Sequence, residues 1–140
     1  MNELKRYNFL VSEINGLFHE IAQSMGLADS TLRILYAVCN EGDSCLLSHI
    51  IRMTGTSKQT INSALRKLEG EGMVYLETEG RQKRVCLTES GRSLAQRTAA
   101  RVIAAENAVF AAWTEGEREA YIGLTQRYLD QLREQMEEMN

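Results

Sequence analysis

Over the first 25 positions the apolar residues Leu4, Tyr7, Val11, Ile14, Phe18, Ile21 and Met25 recur at alternating spacings of three and four, joined by Leu10 and Leu17. This is the period of an amphipathic helix with one long apolar stripe, and Gly26 reads as its stop. Asp29 or Ser30 reads as the N-cap of a second helix, with Leu32, Leu35, Tyr36 and Cys39 inward and an end near Gly42. Ser44 reads as the cap of a short third helix through Met53, with Leu46, Leu47, Ile50 and Ile51 inward, closed by Thr54-Gly55-Thr56. A fourth runs from a Ser57 cap to Gly70 or Gly72 and turns Ile61, Ala64, Leu65 and Leu68 inward.

The period then changes to two. Residues 73–77 and 84–88 read as short strands joined by the loop 79–82, which makes a hairpin. A long helix follows from Glu89 to Trp113, with Leu94, Thr98, Val102, Ala105, Val109 and Ala112 on one side. The capping box Thr114-x-x-Glu117 opens the last helix, which carries Tyr121, Leu124, Tyr128, Leu132, Gln135 and Met139 in a near-heptad stripe. The expected fold is mainly α: residues 1–140 as one domain, 30–90 as a winged helix-turn-helix with a two-stranded β wing, and 1–25 and 91–140 as a helical frame. Stripes at both ends of the chain need covering, and a second copy packed about a two-fold axis would cover them, with Leu4, Tyr7, Val11, Leu124, Tyr128 and Leu132 in the seam.

Composition agrees with a folded helical domain. Hydrophobic residues make up 44% of the chain and charged ones 25%, which excludes a disordered polymer, and proline is absent. No apolar run approaches the length of a membrane span, and MNELKRYNF lacks the apolar core of a signal peptide, so a cytoplasmic protein with no membrane partner is expected. Cys39, Cys45 and Cys86 form no CxxC pair, which speaks against a disulfide framework or a zinc ribbon. His19 and His49 are the only histidines and stand in no metal-spaced or nucleophile-activating motif, so no catalytic residue, metal or cofactor is expected. Cys45 and His49 stand one helical turn apart, yet two ligands do not complete a four-coordinate site.

Charge changes the picture. The net charge is -3, but residues 51–101 hold ten Lys or Arg against five Asp or Glu, a local +5, leaving -8 on the remainder. Such asymmetry suits a face built for a polyanion. Within that stretch the fourth helix aligns Gln59, Asn62, Ser63 and Arg66 at i, i+3, i+4 and i+7, on the side opposite its aliphatics. Asn and Gln can pair with adenine and Arg with guanine, while Ser57, Lys58 and Thr60 at the helix start can hold a phosphate. The following hairpin carries Arg81, Lys83 and Arg84, a basic tip suited to a minor groove. Helix, turn, polar helix and basic hairpin together point to double-stranded DNA; a protein-binding adaptor is the alternative, and the basic wing weighs against it.

Ser57 through Gly72 (SKQTINSALRKLEGEG), with its Ser-x-x-Thr start and its Gly before a Met-Val strand, resembles the recognition helix and exit of the MarR (multiple antibiotic resistance regulator) transcription factors. Residues 87–92 (LTESGR) resemble that family's Leu-Thr-Glu-x-Gly entry into its fifth helix, and Glu79-Gly80-Arg81 aligns with its Asp-x-Arg wing, Glu standing for Asp. The resemblance implies an obligate winged-helix dimer on an inverted repeat, framed by the terminal helices, with Arg81 reaching the groove. It also implies a repressor relieved by a small effector entering between frame and winged region. Phe18, Tyr36 and Trp113 are candidate walls for an aromatic or amphipathic ligand, with His19 as a polar contact. A thiol switch is the alternative: the family's peroxide sensors carry their cysteine near the start of the first helix, where this chain has Tyr7, Asn8 and Phe9. Cys45 is then the candidate reactive thiol.

Overall fold

The computed structural model describes residues 2–140; Met1, the first residue of the expected 1–25 segment, lies outside them. The elements are α1 (Glu3–Ser24), α2 (Asp29–Glu41), β1 (Ser44–Leu46), α3 (Leu47–Thr54), α4 (Lys58–Gly70), β2 (Val74–Glu79), β3 (Gln82–Leu87), α5 (Glu89–Arg97), α6 (Ala99–Ala111) and α7 (Glu115–Glu138). The chain divides into two compact units, one up to Ile103 and one of Ala104–Asn140.

In the first unit α2 is the central element, and α1, α3, α4, α5, β1 and β3 all pack on it. Leu32, Ile34, Leu35 and Val38 of α2 are fully buried with Ile50, Ile61, Leu68 and Val85. Each such side chain contributes about 1.5 to 3 kcal/mol of transfer free energy, so this cluster is the main reason the unit holds its shape. The apolar periodicity of α3 and α4 is explained by this core, since Ile50, Ile61, Ala64, Leu65 and Leu68 all enter it.

Four local expectations are corrected. Residues 44–46 do not begin a helix: they form β1, antiparallel to β3 with Cys45 opposite Val85, giving a three-stranded sheet of order β1-β3-β2. This pairing satisfies the second edge of β3 and buries Cys45, which outweighs the capping preference of Ser44. The cap of α2 is Ala28, without a side-chain hydrogen bond, because the Asp29 carboxylate is taken by His19 Nδ1 at 2.7 Å. The helix expected from Glu89 to Trp113 is broken at Thr98 (φ -125°, ψ -90°). There the buried Thr98 hydroxyl donates to Leu94 O at 2.8 Å while its N–H bonds Ala95 O, so side chain and backbone compete for the same turn. The hairpin strands are displaced toward the tip relative to 73–77 and 84–88. Glu79 pairs with Gln82, leaving a two-residue turn of Gly80 and Arg81, with Gly80 at φ +64° and, among the described residues, no positive φ outside glycine. Glycine at the first turn position matches the twist of the flanking strands, so pairing runs to the tip.

In the second unit Thr114 caps α7 by accepting from the Glu117 N–H at 3.1 Å, and Glu117 Oε1 accepts from the Thr114 N–H at 2.8 Å, the expected reciprocal box. Arg118 donates to the carbonyls of Phe110 and Trp113, tying α7 to the end of α6. Among the described residues no helix is long and apolar enough to cross a membrane.

Candidate nucleic-acid interface

The turn between α3 and α4 is fixed from both ends. Gly55 takes the left-handed conformation (φ +64°) and its N–H bonds Ile51 O, which stops α3. Two residues on, Ser57 Oγ accepts from the Thr60 N–H at 3.2 Å, which starts α4, and the Ser57 hydroxyl also lies 2.9 Å from Thr60 Oγ1. With its aliphatic side buried, α4 leaves Lys58, Gln59, Thr60, Ser63 and Arg66 exposed and Asn62 half-buried. Arg66 and Asn62 border a groove shared with Lys83 and Leu76 of the hairpin, so α4 and the wing form one continuous surface.

At the hairpin tip Arg81 occupies the turn and Lys83 is exposed. Arg84 sits further back, on the face shared with Glu77 and Glu79: its Nε donates to Glu79 Oε2 at 3.1 Å and an Nη to Ser44 Oγ at 3.2 Å. The cations presented at the tip are therefore Arg81 and Lys83, while Arg84 fastens the wing to β1. Glu79 meets Arg84 and not Arg81: Glu79 and Arg84 are diagonal neighbours on one face, whereas Arg81 lies in the turn.

Behind the wing, Thr88 locks α5 to the exit of α4. Its hydroxyl donates to Gly72 O at 2.6 Å and accepts from the Gly91 N–H at 3.0 Å, and its N–H bonds Met73 O. This gives the Leu-Thr-x-x-Gly pattern a physical meaning, since Thr caps the helix and Gly permits the close approach of Met73 O.

Phe18 and Tyr36 meet edge to face with ring centroids 6.2 Å apart, and the Arg33 guanidinium lies 4.5 Å over the Phe18 ring. His19, next to Phe18, is engaged by Asp29. Trp113 belongs to the second unit, where it packs with Phe110 and Tyr121 at 5.2 and 5.3 Å.

Cys45 is corrected as a reactive thiol. It is 2% exposed, its strand position removes the helix N-terminus that would have activated it, and burial together with the Glu41 charge pushes its pKa up, against a smaller lowering by Arg84. Burial, with Asp43, raises Cys39 as well, and burial is the main cause of the rise at Cys86. Among the described residues no group of three or more His, Cys, Asp or Glu could hold a metal ion.

Sequence reading missed Lys67, Ser30 and Thr31, which come together at the start of α2 beside α4. Thr31 carried a signal: it precedes Leu35 by one turn, so a hydroxyl occupies a position on the buried stripe.

This arrangement is a winged helix-turn-helix, in which α3, α4 and the β2–β3 wing lie on a core organised by α2. Residues 25–85 match the model of the MarR family. Solved structures share the fold. A MarR family regulator from Neisseria meningitidis, NMB1585, is 21% identical, covers 100% of both chains and has a TM-score of 0.86. The S. aureus MepR–DNA complex is 18% identical over 94% of this chain and 98% of that one, with a TM-score of 0.67. Bordetella bronchiseptica BpsR, whose DNA binding is regulated by 6-hydroxynicotinic acid, is 18% identical over 88% and 98%, with a TM-score of 0.63. Among curated protein sequences none is a significant match.

Proposed function

We propose that the chain is a sequence-specific double-stranded DNA-binding transcriptional regulator, not an enzyme, acting in the cytoplasm as a homodimer on an inverted repeat. The observation that carries this reading is the continuous surface made by the polar row of α4 and the basic wing. Gln59, Asn62, Ser63 and Arg66 read base edges in the major groove, Ser57, Lys58 and Thr60 hold the backbone at the helix start, and Arg81 and Lys83 enter the flanking minor groove. Exposed apolar residues on α1 (Leu4, Tyr7, Val11) and α7 (Leu124, Tyr128, Leu132) support pairing of two copies, because such surfaces are not left in water by a stable soluble protein.

Its output is repression, relieved by a small aromatic or amphipathic ligand. The support is the half-buried Arg33–Phe18–Tyr36 arrangement, which offers a cation and two rings at the junction of α1 and α2, with His19 adjacent. A ligand acts by its preference for a dimer whose recognition helices no longer match the groove spacing.

Selection of bound duplexes from a random library, followed by salt titration of the winner, tests the reading. The expected result is an inverted repeat with half-site centres about 10 bp apart and affinity that falls steeply with salt. Indifference to duplex DNA at every salt concentration would replace the regulator with a protein-binding adaptor.

A further inference from the structure

The sheet changes width at Arg84. β1 covers β3 only from Arg84, opposite Leu46, to Cys86, opposite Ser44. Toward the tip, Lys83 and Gln82 have β2 alone as a neighbour, so residues 78–83 form a two-stranded ribbon that carries Arg81 and Lys83 away from the sheet. We propose that Arg84 is a positioning residue of the wing: without touching DNA it holds this ribbon at the angle from which Arg81 reaches the minor groove, and so determines which flanking sequence is favoured. The proposal rests on the DNA-binding reading above.

The ribbon has little of its own to fix its direction. Residues 77–83 are all exposed, so no side chain there is anchored in the core. Two-stranded ribbons are marginal alone and vary widely in twist. The place where this one would swing is its root, because the third strand ends at Arg84.

Arg84 stands on that root and grips both sides of it. Its Nε donates to Glu79 Oε2 at 3.1 Å, and an Nη donates to Ser44 Oγ at 3.2 Å. The residues directly opposite Arg84 are Glu77 on β2 and Leu46 on β1. Both bonds therefore run to diagonal positions, one ahead of the root and one behind it, and they tie the last pair before the turn to the body of the sheet. They use different nitrogens of one planar group, so both form at once and resist rotation of the ribbon. A lysine ammonium has no such fork.

The same bonds keep Arg84 from the backbone of DNA. Its charge is met by Glu79 and its side chain is the less exposed of the two, so taking a phosphate would mean giving up the carboxylate.

Flanking specificity follows from the fixed angle. Minor-groove width and potential vary with sequence, and A·T-rich flanks offer the narrow groove that attracts an arginine. Without the pin the bound wing makes the same contacts, but a smaller share of the free molecules has the wing in place. Binding weakens in proportion, and only where the wing is used.

The test compares full-length wild type, Arg84→Gln and Arg84→Lys on one operator core with A·T-rich or G·C-rich flanks, over a range of salt. Both variants are expected to bind the A·T-flanked duplex about three- to fivefold more weakly and the G·C-flanked duplex as wild type does. Their salt slopes should match wild type, since no phosphate contact is lost, whereas Arg81→Ala should lower the slope by about 1. In an Arg81→Ala/Lys83→Ala background, Arg84→Gln should have no further effect. In the DNA-free protein the amide order parameters of Gly80 and Arg81 should fall in both Arg84 variants while the urea midpoint stays that of wild type. Full binding by Arg84→Lys beside weak binding and a lowered salt slope in Arg84→Gln would make Arg84 a direct phosphate contact and overturn the proposal. Equal losses on both duplexes with a lowered urea midpoint would make it a general packing residue, which overturns it as well. Wild-type affinity in both variants would sink the pin while leaving the DNA reading intact; failure of wild type to bind any duplex would sink both.

Discussion

Replacing Gly91 by alanine sets two effects against each other. Gly91 lies in the first turn of α5, where helix propensity alone favours alanine by about 1 kcal/mol. Its added Cβ, however, would stand 1.8 Å from the carbonyl oxygen of Met73 and 2.9 Å from the carbonyl carbon. Both atoms are backbone, so the contact is not relieved by turning a side chain. That oxygen also accepts from the Thr88 N–H at 3.0 Å and lies 3.1 Å from the Thr88 hydroxyl, whose one proton is shared with Gly72 O at 2.6 Å, so moving it strains the backbone bond and this shared contact. Overpacking of this kind costs about 1 to 3 kcal/mol or more, and each weakened hydrogen bond about 0.5 to 1.5 kcal/mol. Steric cost wins, and Gly91→Ala is expected to lose about 2 to 4 kcal/mol. Gly70→Ala is the control: the Cβ there meets nothing within 4 Å and the backbone is helical, so it should gain about 0.4 to 1 kcal/mol. Urea unfolding of the three proteins at one fixed concentration decides the matter, since pairing would make stability concentration-dependent. A Gly91→Ala protein as stable as wild type would refute the claim that Thr88 and Gly91 lock α5 to the exit of α4.

Three further outcomes are expected. Leu124→Asp puts a charge on the exposed apolar face of α7; if that face is the dimer seam it should sediment as a monomer and lose DNA binding, and an unaltered dimer would move the seam elsewhere. Arg66→Ala should weaken operator binding by about 1 to 3 kcal/mol and relax base preference, whereas Arg81→Ala should act through flanking sequence and salt slope; equal losses on every duplex would erase the division between reader and wing. For Cys45 the folded thiol is pushed up by burial, so the unfolded chain loses its proton first. Stability is then flat below the ordinary thiol value near 9 and falls as pH rises from there toward the folded value. A wild-type urea midpoint that drops no further between pH 8 and pH 10 than that of Cys45→Ala would contradict this, as would peroxide that released DNA from wild type but not from Cys45→Ser.

The elements set by neighbours in the chain were legible in the sequence. The Ser57 cap, the Gly55 stop and the Thr114–Glu117 box are each complete within a few residues, and the α4 face follows from helical period alone. β1 was not legible, because Ser44 has the local chemistry of a cap and its actual role depends on Cys86, Val85 and Arg84 some forty positions later. Thr98 fits the stripe of a continuous helix; only its burial, which leaves Leu94 O as the acceptor for its hydroxyl, turns it into a break.

The polar residues of the candidate site divide in the same way. Those that face outward from α4 could be picked by spacing, since exposure follows from the helix's own aliphatic side. Arg84 could not be separated from Arg81 and Lys83, because all three are cations within four positions and only the register of β2 on β3 decides which one finds a carboxylate. Thr31 is the sharpest case. Composition makes it an unremarked helical threonine, and periodicity makes it a flaw in an apolar stripe. What sets it beside a lysine from another helix, on a helix that begins without a capping side chain, is the packing of α2 on α4, which no local pattern specifies.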